Sequence, residues 1–292
     1  MLNAQCSIFN VFPWKDELSE GIDHEKFCVS FLVQPDLFLR LRPGREKLVT
    51  QKLKDAKIDF KVISENCIAL PNSSKINEII ELDNEAVVQD ENSQRTGELI
   101  KSEMVSHIPI AIGTEISVWD CCAGSGGKSI MAFDIDPKIE LTVSDKRESI
   151  LANLKKRFNN AGIRNYKSFI VDLSQNKPEI KNIKPEIIIA DVPCSGSGTW
   201  SRTPEQLYFF EDKKIEEYSA LQKKIVSSAI PQLQRGGSFI YMTCSVFKKE
   251  NEEVVEFIKE KFGLQLKEME VLEGYDKKAD SMFVAVLSLP KH

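Results

Sequence analysis

From residue 116 to residue 243 the chain alternates between two patterns. Short apolar runs, "ISVWD", "ELTVSD", "KSFIVD", "EIIIAD" and "SFIYMT", end at Asp120, Asp145, Asp172, Asp191 and Thr243. Their length and their content of Val, Ile and aromatic residues predict buried strands. Apolar positions recur at helical spacing in "KSIMAFDI", "RESILANLKKRFNNAG", "KKIEEYSALQKKIVSSAIPQL" and "NEEVVEFIKEKFG", which predicts helices between and after the strands. Such alternation builds a mostly parallel, doubly wound α/β sheet. Two later segments, "LQLKEMEVL" and "SMFVAVLSL", predict an antiparallel pair at one sheet edge.

The earlier part of the chain reads differently. "DHEKFCVSFLV" suits a short helix, and "LFLRLR" alternates as a half-exposed strand does. After a Pro-Gly turn, "REKLVTQKLKDAKI" places Leu48, Leu53 and Ile58 near one face of a helix, and "CIALP" reads as a strand. Residues 1–85 are therefore expected to form a small α+β domain, and residues 86–292 the larger one. Gln89–Glu98, "QDENSQRTGE", reads as a polar bridge between them.

Composition narrows the class. The 292 residues are 42% hydrophobic and 28% charged, as in ordinary soluble domains. No apolar run is long enough to span a bilayer, and the start lacks a basic region followed by an apolar one. The seven cysteines are scattered, with no Cys-x-x-Cys pair, and His24, His107 and His292 are isolated. A reduced, cytoplasmic protein without a metal site is expected, with no membrane partner, and a monomer. The net charge of −5 does not suggest nucleic acid, yet residues 36–63 hold eight basic residues against four acids. Arg40, Arg42, Arg45 and Lys47 in that stretch are candidate phosphate contacts; a solvated helix face explains the charge equally well.

Four of the five expected strands end in aspartate, and ligands in open α/β sheets bind beyond the carboxyl ends of the strands. The loop "DCCAGSGGKS" follows the first of them. A phosphate-binding loop would need glycine at Cys122, and a dinucleotide loop would need one at Ser129, so both patterns fail. A loop for S-adenosylmethionine remains, with Asp145 spaced from Gly126 as a ribose-binding acid would be, as does a purely structural turn.

Four motifs together carry a resemblance: "DCCAGSGGKS", "SDKRESILANLKKRFNNAGI", "DVPCSGSGTWSRTPE" and "TCSVFKKENEEVV". With "VVQDENSQRTGEL" they resemble, in order and spacing over residues 86–290, the Sun/Fmu (Nop/Sun-type) family of RNA cytosine-5 methyltransferases. The resemblance implies a Rossmann-like methyltransferase domain with an antiparallel edge strand, preceded by a small RNA-binding-type domain. It implies S-adenosylmethionine as cofactor, held by Cys122, Ala123, Gly124, Ser125, Gly126, Gly127, Lys128, Asp145, Asp172 and Asp191. Its substrate would be a cytidine of ribosomal or transfer RNA; Arg202 joins Arg40, Arg42, Arg45 and Lys47 as a candidate phosphate contact. Cys244 would be the nucleophile, Cys194 would help resolve the adduct, and Asp191 would stand beside the base. Two thiols suit this reaction. Carbon 5 of cytosine becomes nucleophilic only after a thiolate adds to carbon 6, and a base must then remove the carbon 5 proton before the sulfur leaves.

Departures from the family pattern occur at Gly124-Ser125, where Ala-Pro is usual, and at Ser281-Met282. The remaining cysteines, Cys6, Cys28, Cys67 and Cys121, fit burial as small apolar residues. Rival readings are an RNA-binding relative without catalysis, and a methyltransferase acting on DNA, protein or a small molecule. The first leaves Asp191, Cys194 and Cys244 without purpose; the protein and small-molecule forms of the second do not explain both cysteine motifs.

Overall fold

The computed structural model describes residues 11–107, 115–180 and 182–291. Cys6 and His292 lie outside them. The early elements are α1 (His24–Ser30), β1 (Leu37–Leu41), α2 (Glu46–Asp55), β2 (Lys61–Ser64), β3 (Cys67–Leu70) and β4 (Ala86–Val88). The strands form an antiparallel sheet of order β2-β3-β1-β4. Val49 and Leu53, one helical turn apart, bury α2 against it, whereas Leu48 is 41% exposed. The inward stripe of this helix is thus rotated by about one residue from the expected Leu48–Leu53–Ile58 face.

The remaining elements are α3 (Glu91–Ser106), β5 (Ser117–Asp120), α4 (Gly127–Ile135), β6 (Glu140–Asp145), α5 (Glu148–Ala161), β7 (Lys167–Ile170), β8 (Ile187–Asp191), α6 (Gln206–Phe209), α7 (Lys213–Ala229), β9 (Ser238–Thr243), α8 (Glu252–Phe262), β10 (Gln265–Leu272) and β11 (Met282–Ser288). Their seven strands make one sheet of order β10-β11-β9-β8-β5-β6-β7. It is parallel except at β11, which runs antiparallel to both neighbours. Strand β8 explains the continuous apolar runs. Ile187 and Ile189 enter one core layer, Ile188 and Ala190 the other, and all four are fully buried. Burying each isoleucine on this strand stabilises the fold by about 1.5–3 kcal/mol.

The expected polar bridge at 89–98 is instead the first half of α3, apart from its capping residues. Asp90 caps the helix by accepting from Asn92 N. Asn92, fully buried, donates to the carbonyls of Leu272 (3.0 Å) and Asp280 (2.7 Å). A polar sequence is buried here because its hydrogen bonds are met inside the protein. The expected boundary between residues 85 and 86 also shifts. Strand β4 pairs with β1, placing Leu39 opposite Val88, so the small sheet extends past it.

The segment before β1 belongs with the large sheet. Phe12 and Phe27 pack with Trp200 and Phe247 in one aromatic cluster. Ser19 N donates to Val246 O, and Lys248 N to Glu17 O.

Candidate active site

The carboxyl ends of β5, β6, β8 and β9 open onto a cleft of about 750 Å³. Between β5 and α4 the chain turns through Gly124 (φ 52°) and Gly126 (φ 89°), left-handed conformations that favour glycine. A side chain at Gly126 would come within 2.8 Å of Phe158 on α5. Gly126 therefore faces α5 and is absent from the cleft lining, unlike Cys122, Ala123, Gly124, Ser125, Gly127 and Lys128, which line it. The expected contact at Gly126 becomes a packing role.

Six aspartates border the cleft, among them the four expected at strand ends, Asp120, Asp145, Asp172 and Asp191. Asp120, 1% exposed, accepts from Ser129 Oγ at 2.5 Å through Oδ2, while its buried Oδ1 has no hydrogen-bond partner of good geometry among the described residues. Burial, reinforced by the nearby charge of Asp191, pushes its carboxyl up to about 7 despite the Ser129 bond. Asp145 is also buried, which alone would raise it, but its hydrogen bonds hold it below the usual carboxylate range. Oδ1 accepts from Arg147 N and Nε, and Oδ2 from Gly124 N and Arg147 Nη2. Asp172 lies two residues past β7, and the Ser174 hydroxyl and amide hold it low.

Asp191 faces a partner that the sequence did not assign to it. Lys128 is 5% exposed, and its Nζ lies 3.3 Å from Asp191 Oδ2 and donates to Ser93 Oγ at 2.5 Å. This lysine is no surface residue. Its aliphatic stem is buried at the start of α4, and its ammonium is fixed between α3 and β8.

Beyond Asp191, Cys194 Sγ and Cys244 Sγ stand 3.3 Å apart, and both residues line the cleft. The hydrogen bond with Cys244, then burial and the charge of Glu250, push the Cys194 thiol well above its ordinary value. The loops carrying the two sulfurs are tied together underneath. Glu250, fully buried, accepts from Ser195 N (2.8 Å) and Gln222 Nε2 (3.0 Å) through Oε2, and from Ser245 Oγ (2.8 Å) through Oε1. Gly198 N donates to Cys244 O at 2.9 Å. Burial raises the Glu250 carboxyl despite these donors. In the sequence Glu250 is one acid of a "KKENEE" run that reads as a helix start; its burial gave no sign there. Cys28, Cys67 and Cys121 are buried.

The expected phosphate contacts divide. Arg45 and Lys47 are exposed. Arg40 and Arg42 are not available: both are buried against Asp134 of α4, at 2.5 and 2.6 Å. Arg202 is also engaged. Its Nε donates to Asp280, Nη1 to Asp36 O and Nη2 to Asp90. These three arginines join the small sheet, α3 and the large sheet rather than presenting charge to solvent.

A seven-stranded sheet of this order, with one antiparallel strand and a glycine loop after β5, is the Rossmann-like methyltransferase fold. NSun6 from Pyrococcus horikoshii, solved with SFG, superposes with a TM-score of 0.76 over 92% of this chain and 94% of that one, at 16% identity. The chain belongs to the family described as 16S rRNA methyltransferase RsmB/F, which matches residues 110–292. It is 28% identical over 170 residues to ribosomal RNA small subunit methyltransferase B of Proteus mirabilis, covering 58% of this chain. It is 30% identical over 156 residues to the tRNA (cytosine(72)-C(5))-methyltransferase of Pyrococcus horikoshii, covering 53% of this chain. The matches span only 37% and 39% of the length of these two relatives.

Proposed function

We propose that the protein transfers a methyl group from S-adenosylmethionine to carbon 5 of a cytidine in ribosomal or transfer RNA, as a cytoplasmic monomer. The observation that carries this reading is the contact of two sulfurs, 3.3 Å apart, in the same cleft as the glycine loop. The residues fit the cofactor. Asp120 Oδ1 is a buried acceptor awaiting a donor, and Gly124 brings backbone close to the cleft. Asp145 and Asp172 would hold the ribose and adenine, and Cys122 to Lys128, apart from Gly126, the remainder. When bound, S-adenosylmethionine supplies an electrophilic methyl group.

The chain's own groups do the rest. Cys244 gives up its proton to solvent, and its thiolate, accepting a hydrogen bond from the Cys194 thiol, attacks carbon 6 of the base. Asp191, paired with Lys128, hydrogen-bonds the base beside the ring nitrogen that gains electron density. Once Cys244 is bonded to carbon, the largest influence raising the Cys194 thiol is gone. Cys194 then ionises more readily, releasing its proton to solvent. It takes the carbon 5 proton, and the Cys244–carbon 6 bond breaks. A cytosine within a helix hides carbon 6, so the target is a loop or an extruded base.

The test is methyl transfer from labelled cofactor to unmodified RNA, with 5-methylcytidine identified after nuclease digestion. Cys244→Ala is expected to abolish turnover, and Cys194→Ala to accumulate protein covalently joined to RNA. An adduct trapped by Cys244→Ala instead would reverse the roles. Labelling of protein or metabolites but not RNA would overturn the reading.

A further inference from the structure

We infer that Arg157 and Asp83 form a clamp by which the small sheet's β3–β4 connection sets the cofactor loop; the inference rests on the reading of the cleft as the S-adenosylmethionine site. Arg157 projects from α5 to the border of the cleft and makes four hydrogen bonds to two partners. Nε and Nη2 donate to Asp83 Oδ1 at 2.9 and 2.7 Å. Nη1 donates to both the carbonyl and the hydroxyl of Ser125, each at 2.9 Å. The Arg157 and Asp83 side chains are only 19% and 10% exposed, so water screens the pair weakly.

The anchor is itself held. Asp83 is a non-glycine residue at φ 67°, its amide donates to Ala86 O, and its carbonyl accepts from Arg42 Nη1 at 2.9 Å. Arg42 in turn pairs with Asp134 on α4, the helix that the cofactor loop opens into.

The held residue is the one that needs it. Ser125 lies between Gly124 and Gly126, both left-handed, and glycines contribute the most backbone freedom. Without the clamp, the cofactor would have to order this stretch on binding. Fixing the backbone of one residue corresponds to roughly a five- to thirty-fold change in an equilibrium. Although Arg157 also borders the cleft, its bonds to the Ser125 carbonyl and hydroxyl make it a positioning residue that acts through that loop. The small module becomes part of the cofactor site without touching the cofactor.

The experiment is calorimetric titration of the protein with S-adenosylhomocysteine, which binds without reacting. Arg157→Gln is expected to raise Kd about five- to thirty-fold. Arg157→Lys should recover part of this, and the Arg157→Gln/Asp83→Asn double variant should bind no more weakly than Arg157→Gln alone. Hydrogen exchange at residues 124–127 should quicken in the ligand-free Arg157→Gln protein. Val49→Ala, which opens a cavity in the small module, should leave Kd unchanged. An unchanged Kd in Arg157→Gln, additive losses in the double variant, or equal weakening by Val49→Ala would each overturn the clamp. Wild-type protein that binds no S-adenosylhomocysteine would instead overturn the cofactor reading; hydrogen exchange would then still decide whether Arg157 orders the loop.

Discussion

Replacing Glu250 separates two contributions that the structure joins at one carboxylate. It accepts three hydrogen bonds from donors on the Cys194 loop, the Cys244 loop and α7. Glu250→Ala strands Ser195 N in the interior, whereas Gln222 Nε2 keeps Pro193 O and Ser245 Oγ can turn to the hydroxyls of Ser195 and Ser197. Each unsatisfied buried group costs about 1–3 kcal/mol. Relief from desolvating a buried carboxylate offsets part of this, while the emptied volume adds to it, leaving a net loss on the order of 1–3 kcal/mol, a sizeable share of an ordinary domain's stability. Glu250→Gln behaves differently. Its amide oxygen can accept from Ser195 N and Gln222, and its NH₂ can donate to Ser245 once that hydroxyl rotates. Stability should change by less than about 1.5 kcal/mol. The buried charge is gone, however, and that charge contributes to the raised Cys194 thiol. Cys194 should therefore ionise at lower pH in Glu250→Gln than in wild type. Urea denaturation at constant m reads the first effect. The pH profile of alkylation by iodoacetamide, with Cys194 located by peptide mapping, reads the second. A Glu250→Gln protein with the Cys194 profile unmoved, or shifted upward, would refute the electrostatic argument. A Glu250→Ala protein as stable as wild type would refute the packing one.

Three further outcomes are expected. Arg147 fills acceptor sites on Asp145 from a half-exposed position, where such a pair is worth roughly 0.5–1 kcal/mol. Arg147→Ala should accordingly tighten S-adenosylhomocysteine binding about two- to five-fold by titration, and weaker binding would contradict the competition. Arg45→Ala/Lys47→Ala should lower the slope of log affinity for single-stranded RNA against log salt by about 1.4 if both meet phosphates, while Arg40→Ala and Arg42→Ala should lower the melting temperature. Asp120, raised to about 7 by burial, binds its proton more tightly folded than unfolded. Its contribution is fully present in acid and is lost as pH rises from about 4 towards 7, at up to about 1.4 kcal/mol per pH unit. In Asp120→Asn the fall in unfolding free energy over that window should shrink; an identical slope would place its proton elsewhere.

Strand-end aspartates and the two cysteine motifs were legible because sheet topology forces them together. Parallel strands deliver every carboxyl end to the same side, so Asp120, Asp145 and Asp191 meet at one cleft wherever their helices lie. Arg40 and Arg42 illustrate what such reading misses. Alternation along "LFLRLR" shows that these side chains share a face, but not that Asp134, more than ninety residues away, waits opposite that face. Asn92 and Thr96 misled in the same way, since polarity marks exposure only when no internal partner exists. The link from Lys128 to Asp191 needed the register of α4 against β8. Glu250 needed the crossing of two loops that only the folded chain brings together.

The aromatic seat of residues 11–31 has a consequence for how the molecule comes into being. Glu17 and Ser19 bond to residues 246–252, at the turn just beyond Cys244. During synthesis that early stretch must wait for more than two hundred residues to emerge before finding its place. Closures across such a separation form late. A nascent chain would hold its glycine loop well before its sulfurs come to rest beside each other, and the stitch between residues 17–19 and 246–252 would close last.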